Sequence, residues 1–436
     1  MKLRGMFRNK VVQNAGWLIG GRIVNKILAF FVSILTARFL GPGNYGLINY
    51  AAAYTTFFAS LCTLGINSVI VKNFVDYPEE TGETIGTTLG LRAISSVLSA
   101  VMIIGIVSLI DHNEPVTIAV VALCTIGMVF QIFDTFNYWF QAKLESRYSA
   151  IASVIAYAAY SGYNILLLIL GKGVEWFALG TAFEYIISGI VLAVAYFLNG
   201  GPRLSFSKRK GKQLLTSSTP FIISGLMVAV YVSTDKLMLK QMEDSSTVGY
   251  YSLASSLSVA WAFILSAIID SLYPGIAESY RVDKTLYQRR NKQLYTIIFY
   301  MSFFMSALIS IFASPLIHIL YGSAYEAAVV PLRITVWYTA FSYLGVARNA
   351  WVVCENQQKY LKYLYMGAAG MNVFLNWLFI PVWGASGAAS ASLATEAATI
   401  TILPAMIKSM RPNVRLMMDA VLLKDVFPVQ KDAPRK

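Results

Sequence analysis

NYGLINYAAAY (residues 44–54) and TVGYYSLASSL (residues 247–257) decide how this chain is read, because a shift of about 203 residues lays one over the other. The shift pairs Gly46 with Gly249 and Ala51 with Ala254, and further along it pairs Ser68 with Ser271 and Tyr77 with Tyr280. With nine more residues absorbed in loops, TAFE (181–184) meets LATE (393–396), so that Glu184 answers to Glu396. Each match is weak alone. Their common order in both halves identifies an internal repeat.

The repeated unit is membrane-spanning. Of the 436 residues, 57% are hydrophobic and only 13% charged, against about 25% charged in soluble domains, and the mean hydropathy is +0.59. A span needs roughly 20 apolar residues. Such windows fall near 11–38, 44–70, 84–110, 116–141, 148–170, 174–198, 214–239, 247–277, 293–320, 327–354, 361–381 and 385–408. The expectation is an all-α polytopic membrane protein of about twelve transmembrane helices, with no room for a sizeable soluble domain. An even number of spans between the copies keeps them parallel, related by an axis along the membrane normal. Two six-helix bundles follow, at 1–199 and 214–410, joined by the basic linker GGPRLSFSKRKGKQ (200–213). The segment 411–436 is too polar to span and reads as a cytoplasmic, interfacial or loose tail.

Lysine and arginine number 35 against 22 acids, a net charge of +13, which invites a nucleic-acid reading. The distribution argues against it. Cations gather in alternate loops: Lys2, Arg4, Arg8 and Lys10; Lys72; Lys143 and Arg147; Arg203 to Lys212; Arg281 to Lys292; Lys359 and Lys362; and the tail from Lys408. The opposite side carries only Lys172, Lys240 and the marginal Arg38. This is the positive-inside pattern, and it puts both termini in the cytoplasm. MKLRGMFRNK leads into a long first span with no short apolar region and cleavage site, so no cleavable signal is expected.

Several kinds of chemistry are not encoded. Cys62, Cys124 and Cys354 are scattered and form neither a disulfide framework nor a metal site. The two histidines, His112 and His318, have no carboxylates at metal spacing, and no GxxxxGK[ST] loop occurs. No metal, cofactor, ATPase or enzymatic activity is expected. Energy would come from an ion gradient, the membrane potential, substrate supply or a separate partner.

Six cations remain inside the spans: Arg22, Lys26, Arg92, Lys236, Arg333 and Arg348. Each costs roughly 2.5–3.5 kcal/mol even on the lenient insertion scale. In the first span Arg22, Asn25, Lys26, Ala29, Ser33 and Thr36 step by threes and fours and share one helix face. Arg92, Ser95, Ser96 and Ser99 do the same in the third. Such faces turn toward a watery cavity, or else the cations snorkel to the headgroups. From Val11 to Arg22 is about 16 Å of helix, a long reach for snorkelling. Arg333 and Arg348 are about 60° apart around their helix, so one cavity face could hold both, although Arg348 also lies near enough to the cytoplasmic end to snorkel. Arg22, Lys26, Arg92, Arg333 and Arg348 are therefore the candidates for an anion-binding cavity. Lys236 adjoins Asp235 as an ion-pair candidate. Glu184, Glu396, Asp134, Asp270 and Asp235 are candidates for proton or sodium coupling, or for salt bridges to those cations.

With the spans placed, several stretches resemble the polysaccharide flippases of the Wzx type, within the multidrug/oligosaccharidyl-lipid/polysaccharide exporter superfamily. They are TARFLGPGNYGLINYAAAY (36–54), YWFQAKLESRYSAI (138–151), STDKLMLKQMEDSSTVGYYSLA (233–254), LYGSAYEAAVVPLRI (320–334) and NWLFIPVWGASGAASASLATE (376–396). The last is the most specific. The resemblance implies a V-shaped pair of bundles in the bacterial inner membrane. It implies transfer of an undecaprenyl-pyrophosphate-linked oligosaccharide to the outer leaflet, for O-antigen, capsule or exopolysaccharide. It further implies a cationic central cavity with arginines on the first helix, Arg22 among them, H+ or Na+ as coupling ion, and a polysaccharide polymerase and glycosyltransferases as pathway partners. Lipid II flippase relatives carry two further spans, which are not found here. Two other readings stay open. A cation-coupled drug exporter of the same superfamily would want an acidic cavity, and a membrane polymerase or ligase would want a large outer loop with catalytic acids and bases.

Overall fold

The computed structural model describes residues 10–424. Lys2, Arg4 and Arg8 of the basic N-terminus and the tail beyond 424 lie outside the described residues.

Among the described residues the chain is helical throughout and has no strand, the outcome expected where lipid offers backbone groups no partner and each segment must satisfy its own. In chain order the helices are α1 (Lys10–Cys62), α2 (Asn67–Asp76), α3 (Thr81–Ile110), α4 (Pro115–Phe130), α5 (Asp134–Ala142), α6 (Ser146–Ile169), α7 (Val174–Ala178), α8 (Gly180–Leu198), α9 (Lys208–Met242), α10 (Ser245–Val259), α11 (Phe263–Val282), α12 (Lys284–Ile311), α13 (Ala313–Tyr321), α14 (Val329–Cys354), α15 (Leu361–Ile400), α16 (Ile402–Met406) and α17 (Arg411–Val421).

A straight α1 of 53 residues would run about 80 Å, far beyond the ~30 Å hydrocarbon core. Gly41 breaks it by taking φ 71°, a left-handed conformation that costs glycine little, and Pro42 follows with no N–H to continue the ladder. Gly384, at φ 51°, breaks the 40-residue α15 in the same way. Nine stretches among the described residues are long and apolar enough to cross a membrane. Splitting the two kinked helices and adding the 26-residue α14, which holds Arg333 and Arg348, brings the membrane-length segments to twelve. Large apolar side chains such as Leu109, Ile169, Leu198, Phe304, Trp377 and Val382 point outward from them, as a lipid-facing surface requires.

The described residues form two compact units that divide between Ser233 and Thr234, inside α9. In the first, Ile66, Ile70, Phe74, Ile85, Phe136, Trp139, Phe140 and Tyr196 make a buried core where α2, α3, α5 and α8 meet. In the second, α11, α12, α14 and α17 share a core built around Leu265, Tyr295, Ile298, Trp351 and Met417. Aspartates start two of its helices. Asp244 accepts from Thr247 N at 2.7 Å ahead of α10, and Asp283 accepts from Thr285 N at 2.7 Å ahead of α12. The amides of Thr285 and Leu286 hold the Asp283 carboxyl below the usual carboxylate range.

Two segments differ from the sequence reading. The basic linker is not where the compact units divide. Residues 203–206 lie along α3, with Ser205 N donating to Gly82 O at 3.2 Å. A Cβ at Gly82 would stand 2.2 Å from Arg203 O, and one at Gly86 2.4 Å from Ser205 O, so only glycines permit the approach. Lys210, buried at the start of α9, then pairs with Glu80. The polar segment after 410 is not loose either, since α17 packs on α12. Asn413 donates to Tyr295 OH at 2.7 Å, Thr296 and Tyr300 donate to the carbonyls of Ala420 and Val421, and Lys292 pairs with Asp419 at 3.0 Å.

Candidate functional site

Because α1 bends at Gly41, both of its halves can face one space. In the first unit they enclose a cavity of ≈480 Å³ together with α4, α6, α7 and the start of α8. Ala29, Ser33 and Thr36 line it from before the bend, and Tyr45, Asn49 and Thr55 from after it. Tyr157, Tyr160 and Asn164 enter from α6, Gln131 from the turn after α4, and Thr181 and Tyr185 from α8. None of the lining residues is an Asp, Glu, Lys or Arg. The Tyr157 and Tyr160 rings stand 5.2 Å apart. Asn164 donates to Tyr160 O at 2.8 Å, which turns its amide along the wall. Thr36 is 9% exposed, and its hydroxyl has no hydrogen-bond partner.

The polar stripe of the first span therefore divides in two. Its later members line this cavity. Arg22 and Lys26 precede it on the same face, with Arg22 seven residues and about 10.5 Å of helix before Ala29. Both are exposed.

Arg92 has a different environment. It is 2% exposed, donates to Thr135 Oγ1 at 3.2 Å and to Asn67, and lies 5.7 Å from the centre of the Tyr138 ring. Asp134, at the start of α5, supplies countercharge. The guanidinium thus ties α3 to α2 and α5, and it is not among the cavity-lining residues. Ser95, Ser96 and Ser99 beside it are not among the residues that line this cavity either. Ser95 donates to Cys62 O at 2.7 Å, and Ser96 and Ser99 are buried in the helix packing.

Arg333 and Arg348 are not brought together. Angular proximity on one helix leaves about 22 Å of axial separation over fifteen residues. Arg333 is exposed and donates to Ser310 O at 3.2 Å. Arg348 is 2% exposed and donates to Thr399 O at 2.9 Å, one of the carbonyls at the end of α15, where a cation also complements the helix dipole. Glu396 lies within electrostatic reach of it. Glu184 is half-buried and lies within electrostatic reach of Tyr157 and Tyr160, though it is not among the cavity-lining residues. Asp134 stays with Arg92, and Asp270 is exposed on α11.

Asp235 has the most elaborate surroundings. It is 5% exposed and accepts from Tyr251 OH, from Ser392 Oγ at 2.5 Å and from Asn376 Nδ2 at 2.6 Å. The same Asn376 amide reaches Asn372 Oδ1 at 3.1 Å, while Asn376 Oδ1 is buried without a partner. Sequence reasoning names Asp235 as an ion-pair partner of Lys236 and as one of five coupling candidates, but misses Tyr251, Asn372, Asn376 and Ser392 as its partners. The one local signal is a pair of asparagines four residues apart, on one face of an apolar helix.

A repeated all-α membrane protein, apolar outside and holding a polar cavity in one unit and a polar cluster in the other, has the build of a transporter. The chain belongs to the polysaccharide biosynthesis protein family, whose model matches residues 11–280. A relative from Escherichia coli (strain K12), named for O-antigen transport, is 18% identical over 391 residues, 87% of this chain and 92% of its own. Among solved structures, the inward closed conformation of the lipid II flippase MurJ is similar with a TM-score of 0.71 at 12% identity, covering 94% of this chain and 91% of its own. An inward-facing multidrug resistance transporter of the MATE family, in the MOP superfamily, gives 0.69 at 14% identity, covering 90% and 96%. At such identities the likeness establishes the fold, which is that of this superfamily.

Proposed function

We propose that the chain is a flippase that carries a polyprenyl-pyrophosphate-linked oligosaccharide, with undecaprenyl as the polyprenyl group, from the cytoplasmic to the outer leaflet of a bacterial inner membrane. Both termini face the cytoplasm in this reading, and the product feeds surface polysaccharide assembly. The observation that carries it is the division of the first helix face. Two exposed cations, Arg22 and Lys26, run on into an uncharged cavity lined with hydroxyls, amides and tyrosines. A sugar diphosphate has the same order of chemistry, about two negative charges followed by neutral polyols, and its oxygens are best met by charge-assisted hydrogen bonds. Arg92 and Arg348 act in this scheme by holding helices, not by binding substrate. Arg333 remains a candidate ligand because its guanidinium is exposed.

Alternating access driven by H+ or Na+ is the accompanying mechanism. The Asp235 cluster is the favoured ion site, since one carboxyl group, two asparagine side chains and two hydroxyls converge there in a buried space. Asn376 Oδ1, buried and unsatisfied, is an oxygen such an ion could claim. Glu184 and Glu396 are the second choice. A cation-coupled drug exporter is the competing reading, and the absence of acids from the lining of the cavity weighs against it.

The test is reconstitution. Proteoliposomes holding the full chain should move a lipid-linked oligosaccharide between leaflets. Arg22→Gln should slow that movement about ten- to a hundredfold, and Lys26→Gln less, as the loss of a hydrogen bond to charge of about 1.5–3 kcal/mol implies. Transport of tetraphenylphosphonium without movement of the glycolipid would establish the exporter reading instead.

A further inference from the structure

The cavity of the first unit lacks charged groups, yet it is far from apolar. We infer that it is a glycan subsite, which takes the first one or two neutral sugars of the lipid-linked substrate while the diphosphate stays outside it near Arg22 and Lys26. This inference rests on the flippase reading and adds which part of the substrate goes where.

Five observations support it. The lining has no lysine or arginine to hold a phosphate and no carboxylate to hold an organic cation. What it offers is paired aromatic faces, Tyr157 and Tyr160 with ring centres 5.2 Å apart, together with the side-chain amides of Asn49, Gln131 and Asn164. Sugars present C–H faces and hydroxyl edges. Tyrosine meets the first with its ring, and amides meet the second as both donor and acceptor.

One polar group at this wall is unsatisfied. Thr36 is 9% exposed and its hydroxyl has no partner within the protein. Of the described residues with a buried side-chain polar atom that lacks a partner, Thr36 is the one that lines this cavity, where a ligand hydroxyl can supply the missing bond. The volume also fits. At ≈480 Å³ the cavity lies within the ~300–1,000 Å³ usual for small-molecule sites, enough for a short glycan and far too small for a polyprenyl chain.

Position completes the argument. Arg22 lies on the same helix face, seven residues before Ala29 at the cavity wall. A ligand whose anion sits at Arg22 can therefore extend its sugars toward Ser33 and Thr36 without leaving that face.

The experiment compares two lipids in proteoliposomes holding the full chain: the lipid-linked oligosaccharide extracted from the source organism, and bare polyprenyl pyrophosphate. Thr36→Val removes one hydroxyl and keeps the shape of the side chain, and Tyr157→Leu removes one ring. Each should slow the glycosylated lipid at least threefold relative to the bare one, whereas Arg22→Gln should slow both alike. Thermal unfolding of each variant separates loss of fold from loss of preference, and a variant that unfolds early is replaced by Thr181→Val at the same wall. Equal slowing of both lipids, or none, overturns the glycan subsite and leaves the flippase reading intact. Failure of the unmodified protein to move either lipid overturns the flippase reading itself.

Discussion

The two units carry matching stretches, at 44–54 and 247–257, yet what surrounds those stretches differs. In the first, Tyr45 and Asn49 line an uncharged cavity. Their repeat counterparts in the second unit, Val248 and Ser252, are fully buried. The polar centre of that unit lies instead at Asp235, whose carboxyl group gathers Tyr251, Asn376 and Ser392. Gly46 and Gly249, paired by the same shift, are both buried, while the polar residues near them differ. The comparison suggests a division of labour, with neutral ligand chemistry in one unit and charge chemistry in the other.

The sharpest test of that comparison concerns which cations hold the fold. Arg92→Met should destabilise the first unit by about 3 kcal/mol or more, because it removes a buried guanidinium's hydrogen bonds to Thr135 and Asn67, at about 1.5–3 kcal/mol each. Denaturant or thermal unfolding of the purified protein reads this directly. Arg22→Gln should leave unfolding unchanged, as an exposed side chain with no hydrogen bond or ion pair to other described residues would. An Arg92→Met protein as stable as the parent would mean that the buried network contributes nothing, and the distinction between the two arginines would fail.

A smaller effect on stability and a larger one on coupling is expected at Asp235. In Asp235→Asn one oxygen becomes an amide donor, but the hydroxyls of Tyr251 and Ser392 can rotate to accept from it. The expected cost is about 1–3 kcal/mol. Transport, however, should lose its response to imposed proton and sodium gradients while substrate movement down its own gradient survives. If the gradient response persists undiminished, the cluster is structural and the second unit does not carry the charge chemistry.

Much of the frame is legible in the sequence. The apolar windows mark where helices lie, since length and hydrophobicity act locally, and GPG at 41–43 and WGAS at 383–386 announce the breaks at Gly41 and Gly384. The sites are legible only in part. Arg22 and Arg92 sit in polar stripes of the same kind, and what separates them is the presence of Asn67 and Thr135 on other helices. For Arg333 and Arg348, the angle around the helix suggests a shared face, while the distance along its axis keeps them apart. The Asp235 cluster draws on α9, α10 and α15, more than a hundred residues apart in the chain at its widest, so no spacing rule can assemble it. The basic linker reads as the join between bundles because it is polar and lies between two apolar windows. Its seat on α3 depends on Gly82 and Gly86 in a helix far upstream.

The smallest predicted effect concerns an exposed carboxylate of the second unit, outside its polar cluster. Asp283 caps α12, and the amides of Thr285 and Leu286 depress its pKa. A carboxylate depressed on folding contributes stability that is fully present above its unfolded value near 3.9. That contribution is lost as the pH falls through the lower folded value. Asp283→Ala should therefore lower the unfolding temperature slightly at neutral pH and make no difference once both forms are protonated in strong acid. A difference between Asp283→Ala and the parent that stays constant down to strong acid would show that the cap does not act through its charge.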